Sequence, residues 1–486
     1  MNYAMIRYVL SWIAKVEAGL LILPLLIAAI YREWAVFPVY AAIVALCLAV
    51  GLITSKKPKN TEIYAKDGFA AVALLWIVLS VFGALPFVFT GEIPSFVDAL
   101  FEIVSGFTTT GSSILKDVEA LSHASLFWRS FSHWTGGMGV LVFILMFIPV
   151  KTGSQMNLMR AESPGPDVSK FVPRVRNTAK ILYRIYLGMT LIEVVLLLVA
   201  GMPWFDALCI TFGSAGTGGF AVLNSGLASY TPLQQWIVTI SMIAFGVNFS
   251  FYFLLLHRKK KAAFRMQEVQ FYFIIILTAI AFITVQLLWQ NGVRPDLATF
   301  EEVLRAASFQ VGSIITTTGF STVDFNQWPS ASKWVLVLLM FIGACAGSTG
   351  GGIKVSRIVI LAKSIKKELI VLAHPRTVRK VMFDGQVVPH DVLRSINVFI
   401  AAYLIIFGAS VLIISLDGFS LETNFTAVAA TLNNIGPGLD AVGPTSNFSA
   451  YSNISKIVLI FDMLAGRLEI FPMLMLFMPA TWRRNG

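Results

Sequence analysis

The stretch Gly106-Phe107-Thr108-Thr109-Thr110-Gly111-Ser112-Ser113 ends an apolar run too short to cross a membrane and passes into polar sequence at a glycine. It has three counterparts. They read Gly213-Ser214-Ala215-Gly216-Thr217-Gly218-Gly219-Phe220, then Gly312-Ser313-Ile314-Ile315-Thr316-Thr317-Thr318-Gly319-Phe320, then Ala429-Ala430-Thr431-Leu432-Asn433-Asn434-Ile435-Gly436-Pro437. Aligned on Gly111, Gly218, Gly319 and Gly436, they recur about every 100 residues, which marks an internal repeat. Upstream, Phe96-Val97-Asp98-Ala99-Leu100-Phe101-Glu102 is echoed by Trp204-Phe205-Asp206-Ala207-Leu208 and by Phe300-Glu301-Glu302-Val303-Leu304.

Outward from these stretches lie runs long enough to span a bilayer, which takes about 20 apolar residues. They fall near 9–30, 35–54, 68–90, 125–150, 180–201, 233–257, 269–290, 333–373 (interrupted), 392–416 and 454–480, ten crossings in all. The first run is read as a retained helix, since it leads straight into the second with no small-residue cleavage pattern. Composition agrees: 57% of the 486 residues are apolar and only 13% charged. Soluble chains average about 25% charged residues. So sparse a charge set excludes a soluble enzyme and a nucleic-acid-binding protein. Cys47, Cys209 and Cys345 lie apart in or beside apolar runs and read as buried hydrophobes, with no disulfide or zinc framework. The five scattered histidines show no ligand spacing, and no paired-carboxylate, HExxH or GxSxG signature suggests an enzyme.

The net charge of +11 is distributed unevenly. With an inside N-terminus, the segments 1–8, 55–67, 151–184, 257–268, 354–394 and 481–486 hold 28 Lys and Arg against 7 on the opposite side. That follows the positive-inside rule and sets both termini in the cytoplasm. The expected fold is therefore an all-α polytopic membrane protein. Two leading transmembrane helices (1–67) precede four helix–pore loop–helix repeats, at 68–175, 176–265, 266–385 and 386–486, arranged with pseudo-fourfold symmetry around one pore.

Extended backbone at membrane depth is tolerated only where protein buries it or water reaches it. Four related loops around one pore meet that condition, and their carbonyl oxygens can replace the hydration shell of an ion. Gly suits such a loop because it reaches positive φ without a Cβ clash. Thr before the Gly adds a hydroxyl and a β-branched brace. Each preceding short helix aims a C-terminal partial charge of about −0.5 at the ion.

On these residues the chain resembles the membrane subunit of a Trk-type potassium uptake system, in the superfamily of Trk, Ktr and plant high-affinity potassium transporters. The resemblance covers the whole chain. It implies that Thr109, Thr110, Gly111, Thr217, Gly218, Thr317, Thr318, Gly319, Asn434, Ile435 and Gly436 form the filter for the transported potassium ion. Sodium-preferring relatives carry Ser at the first filter position, where Gly111 stands here. That favours potassium and rubidium over sodium and lithium. Ile435 and Pro437 depart from the other loops, so coordination should be asymmetric. Lacking a full Thr-Val-Gly-Tyr-Gly filter, the loops should offer fewer tight sites and weaker discrimination.

The run Gly347-Ser348-Thr349-Gly350-Gly351-Gly352-Ile353-Lys354 follows an apolar helix. Each interior Gly costs a helix about 1 kcal/mol relative to Ala, so three in a row should break it. Close helix packing through small residues is the other reading. The resemblance implies a gate here, a flexible intramembrane loop crossing the pore below the filter. Ile353 between Gly352 and Lys354 departs from a phosphate-binding loop. Arg467, in Leu464-Ala465-Gly466-Arg467-Leu468-Glu469, lies in the last apolar run. Burial of a charge at a helix centre costs at least about 2.5 kcal/mol, so Arg467 should face a cavity or a partner. It either pairs with Glu469 or snorkels to the surface, or it stands in the pore as an electrostatic barrier, the place Trk relatives give it.

The resemblance further implies a homodimer with one pore per subunit, in a bacterial inner membrane. It also implies a separate cytoplasmic ring subunit that binds ATP, ADP or NAD, with the basic segments 151–184 and 354–394 as docking candidates. No organic cofactor is expected in this chain. The competing reading is a cation-coupled symporter of another small solute, which would need coupling acids and inverted repeats. The repeats here look parallel, each starting after a basic loop.

Overall fold

The computed structural model describes residues 1–56, 58, 64–139, 175–290 and 296–482. It is helical almost throughout. Strand among the described residues is confined to a small hairpin, Met382–Phe383 paired antiparallel with Gln386–Val387. The all-α polytopic architecture expected from the sequence is present. The distal part of the 125–150 run and most of the 151–184 docking candidate lie outside the described residues.

Helices Tyr3–Ile30 and Phe37–Ile53 pack on each other and come first. Four units of one pattern follow, each an approach helix, a short helix, a loop and a return helix. The approach helices are Ala65–Thr90, Val175–Val199, Gln267–Gln290 and His390–Ile414. Their outward faces keep large apolar side chains such as Leu191, Leu277, Val285, Ile405 and Leu412 exposed, the signature of a lipid-facing surface. The short helices are Phe96–Phe107, Trp204–Gly216, Leu297–Ile315 and Leu421–Leu432. Side-chain caps start three of them. Ser95, Asp296 and Ser420 accept from the backbone N–H of Asp98, Thr299 and Thr423 at 3.4, 2.8 and 3.1 Å.

The return helices differ from the unbroken apolar runs read in the sequence, since three of them break among the described residues. Among the described residues five helices are long and apolar enough to cross a membrane: Tyr3–Ile30 and the cores of the four approach helices. The return helices break. Pro232–Phe245 and Phe249–Leu256 meet at 91° across Gly246, Val247 and Asn248. Ser330–Ile342 gives way to a loop before Val355–Ala373. Asn453–Arg467 ends at Glu469 and Ile470, both in the left-handed region at φ 54° and 71°. A β-branched residue at such a φ stores about 1–3 kcal/mol of strain. The sequence exposes the second break through its glycines. The others carry Asn or Ile and read as continuous apolar runs.

Each return helix, the first being His123–Gly137, packs against the short helix of the following unit, and the fourth packs against the first short helix, Phe96–Phe107. Polar contacts pin these seams near the starts of the return helices. Lys456 pairs with Asp98 at 2.6 Å, Trp236 donates to Glu301 at 3.0 Å and Lys333 pairs with Glu422 at 3.3 Å. At the remaining seam His123 meets the Phe205 ring edge-on at 5.0 Å. The packing therefore closes on itself, and the four loops converge inside it.

Candidate functional site

Each short helix ends in the same way. Thr109, Thr217, Thr317 and Asn434 adopt left-handed φ values of 57°, 55°, 61° and 56°. The next residue's N–H then reaches back to a carbonyl five positions earlier: Thr110 to Ser105, Gly218 to Gly213, Thr318 to Ser313 and Ile435 to Ala430, at 2.8–2.9 Å. This is a Schellman closure, which normally wants Gly or Asn at the left-handed position. Three β-branched threonines there are strained, and the packed surroundings must hold them. One residue further on, Gly111, Gly219, Gly319 and Gly436 take φ of 82°, 78°, 85° and 108°.

This shared backbone corrects the alignment in the second loop. Gly219 stands in register with Gly111, and Gly218 takes the position of Thr110, Thr318 and Ile435. His133 leaves no room there for a side chain. A Cβ on Gly218 would run into its imidazole, which bonds Gly106 O through Nδ1 at 2.7 Å and accepts from Phe220 N–H through Nε2 at 3.2 Å. Those two bonds fix the neutral Nδ1–H tautomer.

The four loops form a closed ring. Gly111 lies against the carbonyl oxygen of Gly218, Gly219 against that of Thr318, Gly319 against that of Ile435, and Gly436 against that of Thr110. A side chain on any of the first three would collide with the next loop's backbone. Ser112 adds a bond to Gly436 O at 2.8 Å, and Asn434 Nδ2 donates to Thr110 Oγ1 at 2.9 Å, both across the seam between the first and fourth loops. Thr108–Thr110, Thr217, Thr316–Thr318 and Asn433–Ile435 are fully buried.

The threonine hydroxyls act mainly as braces. Thr110 bonds Thr108 and Thr318 bonds Thr316, each at 2.7 Å. Thr317 Oγ1 accepts from Gly351 N–H at 2.6 Å, and Thr109 Oγ1 accepts from Arg467 at 3.3 Å. Main-chain carbonyls are thus the groups that repeat around the ring. A buried ion pair supports the first loop from behind. Glu102 receives Arg129 Nη2 and Nε at 2.7 and 2.8 Å, and also Ser113 Oγ and Ile114 N–H at 3.0 Å. The Arg129 guanidinium stacks 4.1 Å over Phe220 of the second loop. His133, Glu102 and Arg129 were missed in the sequence because each is a single residue in an ordinary-looking segment.

A second layer lies against the ring on the side of the helix breaks. Residues 343–354 form a loop between two helices, as the glycine run predicts, so Gly347–Gly352 do not pack as part of a helix. Gly351 N–H bonds Thr317, Gly352 N–H donates to Asn433 O at 3.0 Å, and Gly350 lies against Thr316 O. Gly347 O and Gly246 O tie the loop to the break in the second return helix, through Phe249 N–H at 3.0 Å and Cys345 N–H at 3.1 Å. Ser348 Oγ turns back on Cys345 O at 2.6 Å, and Lys354 Nζ donates to Gly350 O.

Arg467 is half-buried and joins both layers. It donates to Thr109 Oγ1, to Thr349 O at 3.0 Å, and to Gly136 O and Gly137 O. Glu469 pairs with Arg357, whose guanidinium also lies 4.4 Å over Phe399. Away from the site, Lys15 lies 5.1 Å over the Trp12 ring. Glu17 is buried with neither carboxylate oxygen hydrogen-bonded among the described residues. The three cysteines are free and buried, as expected.

A helical membrane protein whose four buried loops meet in a ring, backed by short helices ending at that ring, has the build of a pore-loop membrane protein. Comparison with known sequences gives the family. The TrkH cation transport protein model matches residues 38–484, and the chain belongs to that family. It is a transporter rather than an enzyme. The chain is 37% identical to the Trk system potassium uptake protein TrkH of Salmonella typhimurium, over 99% of this chain and all of that protein. It is 32% identical to TrkG of Escherichia coli, over 95% and 94% of the two chains. The crystal structure of the potassium transporter TrkH from Vibrio parahaemolyticus superposes with a TM-score of 0.88 at 32% identity, covering 99% of this chain and all of that one.

Proposed function

We propose that the chain carries potassium inward across a bacterial inner membrane through the ring of four loops, which acts as a carbonyl selectivity filter with pseudo-fourfold symmetry. The observation that supports this best is the head-to-tail closure of the loops, Gly111 on Gly218, Gly219 on Thr318, Gly319 on Ile435 and Gly436 on Thr110. Four equivalent carbonyl sets around one centre replace the water shell of a monovalent cation. The four short helices end there, each adding about half a negative charge. Potassium uptake in the printed names of the relatives supports the choice of ion. Ile435, Asn434 and the histidine-filled second loop make the ring unequal, which supports modest rather than strict exclusion of sodium.

The loop containing Gly347, Ser348, Thr349, Gly350, Gly351, Gly352 and Lys354 closes the path beneath the filter, and Arg467 adds a positive barrier at the same level. A cytoplasmic nucleotide-binding ring subunit moves this loop through helix Val355–Ala373, which leaves the loop directly and is followed by exposed Arg376, Arg379 and Lys380. The subunits pair as a homodimer, each with its own pore and with both termini in the cytoplasm. Rubidium uptake into proteoliposomes, with potassium, sodium and lithium as competitors at several imposed proton gradients, tests this reading. Potassium should compete most strongly. Equal competition by all three ions contradicts the filter.

A further inference from the structure

Glu268 lies in a segment that the sequence presents merely as a cytoplasmic helix start, and none of the machinery above uses it. It is the second residue of the third approach helix, Gln267–Gln290, and only 4% exposed. Its carboxylate binds main chain at both ends of the intramembrane loop. Oε1 accepts Ala346 N–H at 2.7 Å, where the chain enters the loop, and Ser356 N–H at 3.2 Å, where it leaves. Oε2 accepts Asn248 Nδ2 at 3.3 Å. Asn248 is the cap of helix Phe249–Leu256, immediately after the bend in the second return helix, and Gly347 packs on its side chain.

One buried carboxylate thus joins the third approach helix, the break in the second return helix and both ends of the loop. The two N–H groups on Oε1 differ in kind. Ser356 N–H is one of the first-turn donors of helix Val355–Ala373 and needs a cap wherever that helix goes. Ala346 N–H belongs to the loop itself and finds this partner only while the loop lies against the filter.

We infer that Glu268 is a positioning residue that holds the intramembrane loop in its closed place, and that its bond to Ala346 is broken when the loop withdraws. The inference rests on the reading of this loop as the gate. Hydrogen bonds to charged groups are the strong ones, and losing one shifts a closed–open balance by roughly tenfold or more.

The test is basal rubidium flux through the purified full chain in proteoliposomes, without any regulatory subunit, for wild type, Glu268→Ala and Glu268→Gln. Glu268→Ala should raise flux by about tenfold or more. Glu268→Gln keeps one acceptor for the two N–H groups and should fall between. The second readout is maleimide labelling of Cys345, buried in the closed loop, in a background with Cys47→Ala and Cys209→Ala. Its rate should rise in the same order. A purely structural role would lower the yield and thermal stability without raising flux or labelling. Deletion of residues 347–352 separates the two ideas. If the deletion leaves flux at the wild-type level, the gate reading fails. If the deletion raises flux while both Glu268 variants behave as wild type, the role of Glu268 alone fails. Should Glu268→Ala not yield folded protein, Glu268→Gln decides, and wild-type flux and labelling in it overturn the inference.

Discussion

Gly111→Ala puts a single methyl into the ring. Two costs follow from the structure. The backbone at φ 82° is left-handed, which costs a residue with a Cβ about 1–2 kcal/mol. The Cβ would also land on the carbonyl oxygen of Gly218, with Thr318 O close behind. Overpacking of this kind costs about 1–3 kcal/mol, and the obstacle is backbone that no rotamer change can clear. The sum, about 2–5 kcal/mol, exceeds what the ring can absorb without separating the first loop from the second. Gly91→Ala is the matched control. Its φ of 78° imposes the same backbone cost, yet nothing lies within 4 Å of the new Cβ. The assay is rubidium uptake by proteoliposomes with potassium or sodium as competitor. Gly91→Ala should lose about 1–2 kcal/mol of stability and keep the wild-type ion preference. Gly111→Ala should lose at least about tenfold in potassium over sodium preference, the equivalent of 1.4 kcal/mol of the strain. If both variants keep the wild-type preference, contact between the loops does not set selectivity and the reasoning fails.

Arg467→Ala removes a cation whose guanidinium joins Thr109 to Thr349 O. Basal flux in vesicles should rise about tenfold or more, and unchanged flux counts against the barrier. Glu102→Gln leaves Arg129 buried without its counter-charge and should cost about 3–5 kcal/mol, read as a lower unfolding midpoint in detergent. Asp440 lies in the loop after the fourth ring segment, and bonds from the Ser420 and Thr423 hydroxyls at 2.6 Å hold its carboxyl below the usual aspartate range. Its folded pKa is depressed, so its contribution is present at neutral pH and is lost as pH falls through that lowered value, below about 4. Asp440→Asn should flatten that part of the stability–pH curve, and an unaltered acid limb would rule the contribution out.

The quartet of short helices and loops was legible because Thr-Thr-Gly and its variants recur at an even spacing no chance composition produces. The glycine run at 350–352 was legible because three consecutive glycines oppose a helix whatever surrounds them. Other features were hidden for physical reasons. Gly218 and Gly219 are adjacent and identical; the left-handed turn at Thr217 sets Gly219 at the ring, and the imidazole of His133, from a different helix, leaves no room for a side chain at Gly218. The break at Glu469 and Ile470 is marked in the sequence only by Pro472, in the first turn of the helix that follows. Tertiary packing holds those residues at positive φ, against their own preference. Glu102 with Arg129, and Glu268 with Ala346 and Ser356, are single charges whose partners are far along the chain or are main-chain N–H groups without a sequence signature. Glu469, two residues beyond Arg467, is its nearest acid along the chain, but it pairs with Arg357 from the third unit.

The most direct measurement is an anomalous-difference map of the protein crystallised with rubidium in place of potassium. Bound rubidium should give a peak at the centre of the ring made by Gly111, Gly219, Gly319 and Gly436, within reach of carbonyls from all four loops. Strong peaks elsewhere and none at that centre would contradict a filter built from these four loops.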